Sequence, residues 1–156
     1  MPAKLTIAPT IHSYPIQTVN LGGDAAATRF TSAEVGKAVK LTGPDTFGLC
    51  AAGDDVEAIV TSVEQGTRGG YTIGGIVADG YVEVVSTAAL AFGDFVVAAA
   101  QPAVGTPVSG IGANDLPAVP VQKAAAAPTG RFALRIVGLG RAGTGAAGTI
   151  CVAQFV

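Results

Sequence analysis

Short apolar runs, broken at close intervals by glycine, proline or aspartate, set the pattern of this chain. "VEAIVTSVE", "FGDFVVAAA", "RFALRIVG" and "TICVAQFV" are too short for ordinary helices and rich in β-branched residues, so each predicts a strand. In the first of these, Val56, Ala58 and Val60 fall on one side and Ile59 on the other. "FTSAEVGKAVKL" predicts a single helical turn capped by Ser32, released by Gly36 into a strand at Lys37–Leu41. A turn at Thr42–Gly48 leads to a short strand at Leu49–Ala51, and Gly53–Asp55 turns the chain again. In "YTIGGIVADGYVEVVS" the pair Asp79-Gly80 predicts a type I′ hairpin that sets Val77 opposite Val82 and Gly75 opposite Val84. Phe132–Val137 and Thr149–Phe155 predict a last antiparallel pair across a glycine-rich loop.

Two stretches do not fit this rhythm. Residues 1–29 contain Pro2, Pro9 and Pro15, and only Lys4 and Asp24 are charged before Arg29. The segment nevertheless carries Leu5, Ile7, Ile11, Tyr14, Ile16 and Val19, apolar residues that a disordered tail has no use for. It reads as an extended N-terminal docking arm, seated either on its own domain or on a partner, with those six residues as the candidate partner-binding set. Residues 101–130 hold five of the nine prolines and read as a Pro/Ala-rich irregular excursion rather than sheet interior. The expected fold class is therefore all-β. The arm, 1–29, precedes one small β-barrel or sandwich domain, 30–156. An internal echo links "EVGKAVKL" with "AFGDFVVA" and "AIVTSV" with "ALRIV", as if Gly36 and Gly93 opened two similar halves. The abundance of glycine and alanine also produces such echoes by chance.

Composition narrows the function classes. A net charge of −2 gives no electrostatic pull toward nucleic acid or an anionic membrane. Charged residues are 13% of the chain against 49% hydrophobic ones, less charge than a solitary soluble domain of 156 residues usually displays. Part of the surface is thus expected to be covered by other chains. No apolar run is long enough for a transmembrane helix, and "MPAKLTIAPT" lacks the apolar core of a secretory signal. Cys50 and Cys151 are expected as buried thiols made in a reducing compartment.

Candidate chemistry is sparse. "RIVGLGRAGTG" contains G-x-G-x-x-G at Gly138, Gly140 and Gly143 after a strand. A dinucleotide site would need a helix opening in that loop and an acidic residue about 20 positions later. The remaining "TGAAGTICVAQFV" is strand-like and holds no acid. His12 is the lone histidine, in the arm, and reads as a surface or interface residue. Asp54, Asp55 and Glu57 could contribute to a Ca²⁺ site or simply shape a turn into a strand. Arg131, Arg135 and Arg141 could line one edge of the last hairpin. No catalytic, cofactor or metal set emerges.

The arrangement itself carries more. An apolar arm, "SAEVGKAVKL", the later "AFGDFVVAA" and the closing "FALRIVGLGRAGTGAAGTICVAQF" together resemble the small β-rich decoration, or cement, proteins of tailed bacteriophages. The resemblance spans residues 31–100 and 131–156. It implies a non-enzymatic virion protein, made in the host cytoplasm, that sits as a homotrimer on the capsid exterior. There it would bind the major capsid protein, clamp neighbouring subunits and use its N-terminal segment for strand pairing. The alternative is a small β-barrel ligand-binding or enzyme-accessory domain with residues 101–130 as a lid.

Overall fold

A computed structural model of the chain describes residues 16–23, 27–64, 72–108, 118–128, 133–139 and 143–156. The all-β expectation holds. The described residues form ten strands: β1 Gln17–Leu21, β2 Ala38–Gly43, β3 Thr46–Leu49, β4 Ala58–Glu64, β5 Thr72–Val77, β6 Tyr81–Ser86, β7 Phe95–Ala98, β8 Val119–Lys123, β9 Leu134–Gly138 and β10 Ile150–Phe155. One 3-10 turn, Ser32–Glu34, precedes β2. Its cap is Thr31, one residue before the expected Ser32, because Thr31 and Glu34 hydrogen-bond reciprocally as a capping box.

The body is two closed five-stranded barrels in tandem, not the single barrel expected for 30–156. The first runs β1-β3-β2-β4-β5 and the second β10-β6-β8-β7-β9. Their pairings match one for one. β1 meets β3 in parallel as β6 meets β8, and the other four neighbours in each barrel are antiparallel. The registers match too: Ala38 opposes Ile59 and Val39 opposes Ala58, just as Phe95 opposes Arg135 and Val96 opposes Leu134. Gly36 and Gly93 play the same part in each half. At φ of 90° and 86° they sit third in a tight turn that enters the strand. Gly36 N–H donates to Val60 O, and Gly93 N–H to Ile136 O, both at 2.8 Å. A side chain at this left-handed φ is strained, so the glycine is required.

This architecture corrects three expectations. Residues 17–21 are not arm but strand β1, and Leu21 and Phe30 are 2% exposed in the core of the first barrel. The Asp79-Gly80 hairpin does not form. β5 is paired on both edges by β1 and β4, and β6 by β10 and β8, so the dipeptide links the two barrels. A type I′ turn needs positive φ at both positions, and only Gly80 has it, at 88°. Finally, the excursion 101–130 contains β8. Its alternating burial turns Val119 and Val121 inward, while Pro120 O accepts from Ala99 N at 3.1 Å. In the first barrel the equivalent connection is only the short turn between β2 and β3. The excursion is thus an insertion between β7 and β8.

Packing follows the strand alternation. Val39, Ala58, Val60 and Ile76 point into the first barrel with Leu21 and Phe30. Ala38, Ile59 and Val77, their neighbours along the strands, point outward and join one cluster with the interior of the second barrel. Burying a residue such as Ile59 at 0% exposure contributes about 1.5–3 kcal/mol. Backbone bonds seal the junction: Gly53 N donates to Ala98 O and Ala98 N to Asp54 O, each at 2.9 Å.

Candidate interaction surface

Of the six candidate partner-binding residues, Leu5, Ile7, Ile11 and Tyr14 lie outside the described residues, as does His12. The structure places the other two, and they differ. Val19 faces inward and packs against the core of the first barrel, so it serves the barrel itself. Ile16 stands at the start of β1 and is 56% exposed. It has a seat because Gly75 on β5 has no side chain: a Cβ there would meet Ile16 Cγ2 at 2.7 Å and Ser62 Oγ at 2.8 Å. Beside this seat, Thr61 Oγ1 is screened from solvent and has no hydrogen-bond partner among the described residues.

β1 also has an unequal pair of edges. Along β5 it is paired from Gln17 to Leu21. Along β3 pairing begins only at Asn20, opposite Thr46, with Asn20 N donating to Asp45 O at 2.9 Å. The edge of Gln17–Val19 on the β3 side therefore has no ladder partner among the described residues. Such an edge accepts an added strand.

Several of the described charged side chains serve the fold. Asp54 caps the Ala51 N–H at 2.6 Å and pairs with Lys40 at 2.7 Å. The Lys40 ammonium beside it holds its carboxyl below the usual range, and Lys40 is raised in return. Glu57 Oε2 accepts from Leu41 N at 2.8 Å. Asp54 thus shapes a turn and Glu57 bonds the β2 backbone, and the three acids do not converge as a metal site. Among the described residues no group of three metal-ligating side chains occurs. Asp94 repeats the Asp54 arrangement, capping Ala91 N at 2.8 Å and pairing with Lys123 at 2.9 Å. Its carboxyl is held low, chiefly by the Ala91 N–H. Arg135 lies 5.8 Å from the Phe95 ring centroid and donates to Gly93 O; Arg131 and Arg141 lie outside the described residues.

Sequence reasoning passed over the most polar buried site. Glu34 and Lys37 are both 0% exposed and paired at 3.1 Å. Lys37 Nζ also donates to Pro102 O and Ala103 O, at 3.1 and 3.0 Å, and Glu34 accepts from Thr31 and from Gly105 N. Burial alone would raise the Glu34 pKa. The bonds from Thr31, Gly105 and Lys37 outweigh it and hold the carboxyl below its ordinary 4.5. The signal in the sequence was Thr31-x-x-Glu34, the capping-box spacing. Its partners, 65 residues or more away on the insertion, left no local trace. The network ties the insertion of the second barrel to the entry turn of the first. Cys50 and Cys151 are buried thiols, and burial pushes Cys50 up to about 12, which favours the protonated form.

The glycine motif joins antiparallel β9 and β10, the strand pair expected, with Gly140 outside the described residues. A half-open apolar groove of about 430 Å³ lies at the barrel junction, lined by Ala52, Val85, Ser86, Ala99, Pro120 and Gly148. No described helix is long and apolar enough to cross a membrane. No family model, curated protein or solved structure matches the chain.

Proposed function

We propose that this chain is a structural virion protein of the capsid decoration class, binding the outside of a phage shell through its N-terminal segment and stabilising contacts between major capsid subunits. The observation that carries the reading is the half-open edge of β1, with Ile16 exposed at its start. The apolar residues Leu5, Ile7, Ile11 and Tyr14 run directly into that strand. An apolar run leading into a strand whose edge is unpaired among the described residues is suited to completing a neighbour's sheet. The low charge of the chain and its two-barrel body fit a part that is covered on several sides and repeated over a shell. The role is mechanical, without a catalytic step or a cofactor. The alternative of a ligand in a barrel mouth has less to support it. Both barrel interiors are filled by their own side chains, such as Val39 and Val60 in one and Val84 and Ile136 in the other.

The test changes Ile7, Ile11 and Ile16 together to Asp and measures co-sedimentation with shells. Attachment is expected to vanish while the melting temperature of the free protein stays unchanged. Undiminished attachment would remove the arm from the proposal.

A further inference from the structure

Among the described residues, the hydrogen bonds that tie residues 102–106 of the insertion to the first barrel end on one buried pair. Lys37 Nζ donates to Pro102 O at 3.1 Å and to Ala103 O at 3.0 Å, and Glu34 Oε1 accepts from Lys37 Nζ and from Gly105 N. These five residues form a thin cover. Ala103, Gly105 and Thr106 face solvent, whereas Glu34 and Lys37 beneath them are fully buried. Val104, like Val35, packs against the core of the first barrel, so the cover also shields apolar surface. Its root is fixed to the second barrel, because the Gln101 amide donates to Ala99 O and Pro120 O. Its tip is a turn in which Thr106 N donates to Ala103 O at 2.9 Å.

The cover depends on a charge balance. Among the described residues, Lys37 is the charged group that acts on Glu34. Residues 101–106 hold no ionisable side chain, and β4 meets the entry turn through the backbone of Val60. Protonating Glu34 leaves the Lys37 ammonium with two carbonyls and no counter-charge. It also leaves one carboxyl oxygen fewer to accept from Thr31, Lys37 and Gly105. The ammonium gains water only when the cover above it moves. Lifting residues 102–106 achieves this without taking a strand out of either barrel.

We propose that residues 102–106 are an acid-opened strap: protonation of Glu34 lifts them from the first barrel and uncovers the apolar surface under Val104, while both barrels stay closed. The sign follows from the depressed Glu34 carboxyl. The strap is held above the ordinary value of 4.5 and is released as the pH falls through the lower folded value. This device rests on the packing of the chain alone and stands apart from the shell-binding proposal.

Hydrogen exchange of the full chain, resolved by residue with NMR, tests it. The Gly105 N–H reports the strap, and the Cys50, Ala98 and Ile136 N–H groups report the barrels. Between about pH 7 and about pH 3, corrected for the intrinsic pH dependence of exchange, Gly105 is expected to lose protection about tenfold more than the barrel reporters. Glu34→Gln leaves Lys37 uncompensated at every pH, so Gly105 is expected to exchange fast already at neutral pH, with no further acid response. Glu34→Gln with Lys37→Met has no charge under the strap, and its Gly105 protection is expected to be independent of pH. Wild-type Gly105 that stays protected in acid overturns the proposal, as does Gly105 losing protection together with the barrel reporters. A folded Glu34→Gln protein with Gly105 as protected as in the wild type overturns it as well. The wild-type pH series decides the matter by itself if a variant fails to fold.

Discussion

At the scale of single residues, the Glu34–Lys37 pair shows how a buried charge is made tolerable. All three Lys37 donors are used, on Glu34, Pro102 and Ala103, and the Glu34 carboxylate draws donors from Thr31 and Gly105 as well. Removing one partner leaves the other charge uncompensated. Lys37→Met is expected to cost ~3–5 kcal/mol in denaturant unfolding, and Lys37→Met with Glu34→Gln less than that. Because the folded Glu34 pKa is depressed, its contribution is present above the ordinary value of 4.5 and is lost as the pH falls through the lower folded value. The wild-type melting temperature should therefore drop steeply below pH 4.5, and Glu34→Gln should flatten that drop. Asp54 and Asp94, also depressed, add to the same acid-side loss and remain in the variant. An unchanged acid limb in Glu34→Gln would show that the carboxylate does not carry this stability.

At the scale of elements, what the sequence made legible was whatever depends on neighbours along the chain. The alternation in "VEAIVTSVE" divided Ala58 and Val60 from Ile59, because a strand's two faces are set by period, but Val56, expected beside the first two, precedes β4 and joins the cluster of Ile59. The β9–β10 pair was readable for the same reason. Asp79-Gly80 misled because a hairpin depends on what else competes for each strand's edges, and here β1, β4, β8 and β10 take them all. β8 was hidden by Pro120: proline has no N–H to give a ladder and so argues against a central strand. Yet β8 is paired by β6 and β7, and Pro120 takes part through its carbonyl, which accepts from Ala99 N. Gln101 belongs to this scale too: its amide receives Ala38 N at 3.1 Å and donates to Ala99 O and Pro120 O, stitching insertion to barrel. Gln101→Leu strands those groups and is expected to cost ~1–3 kcal/mol, read from the denaturant midpoint. The place where the arm ends is testable as well. Removing residues 2–15 should leave the melting transition intact, whereas removing 2–29 takes away β1 and Leu21 and should abolish it.

At the scale of the whole molecule, the echo between Gly36 and Gly93 was the visible trace of a duplicated fold. It stayed faint because the two halves share registers and turns while their outward residues diverged, Ile59 against Arg135 and Ala38 against Phe95. That divergence follows from position: one flank is buried inside the chain and the other is not. The Lys37 lock and the shared apolar cluster join the two barrels. The candidate surface was only partly readable. Of the two described residues of the candidate set, Ile16 is exposed and Val19 packs against a barrel core that the sequence did not reveal. The account rests most heavily on attachment to a shell. Density-gradient fractionation of the source lysate, with peptide mass spectrometry on every fraction, tests it directly. The account predicts that this chain sediments with particles in near-stoichiometric ratio to a major shell protein. A chain that stays in the soluble fractions while the particles sediment without it would contradict the account.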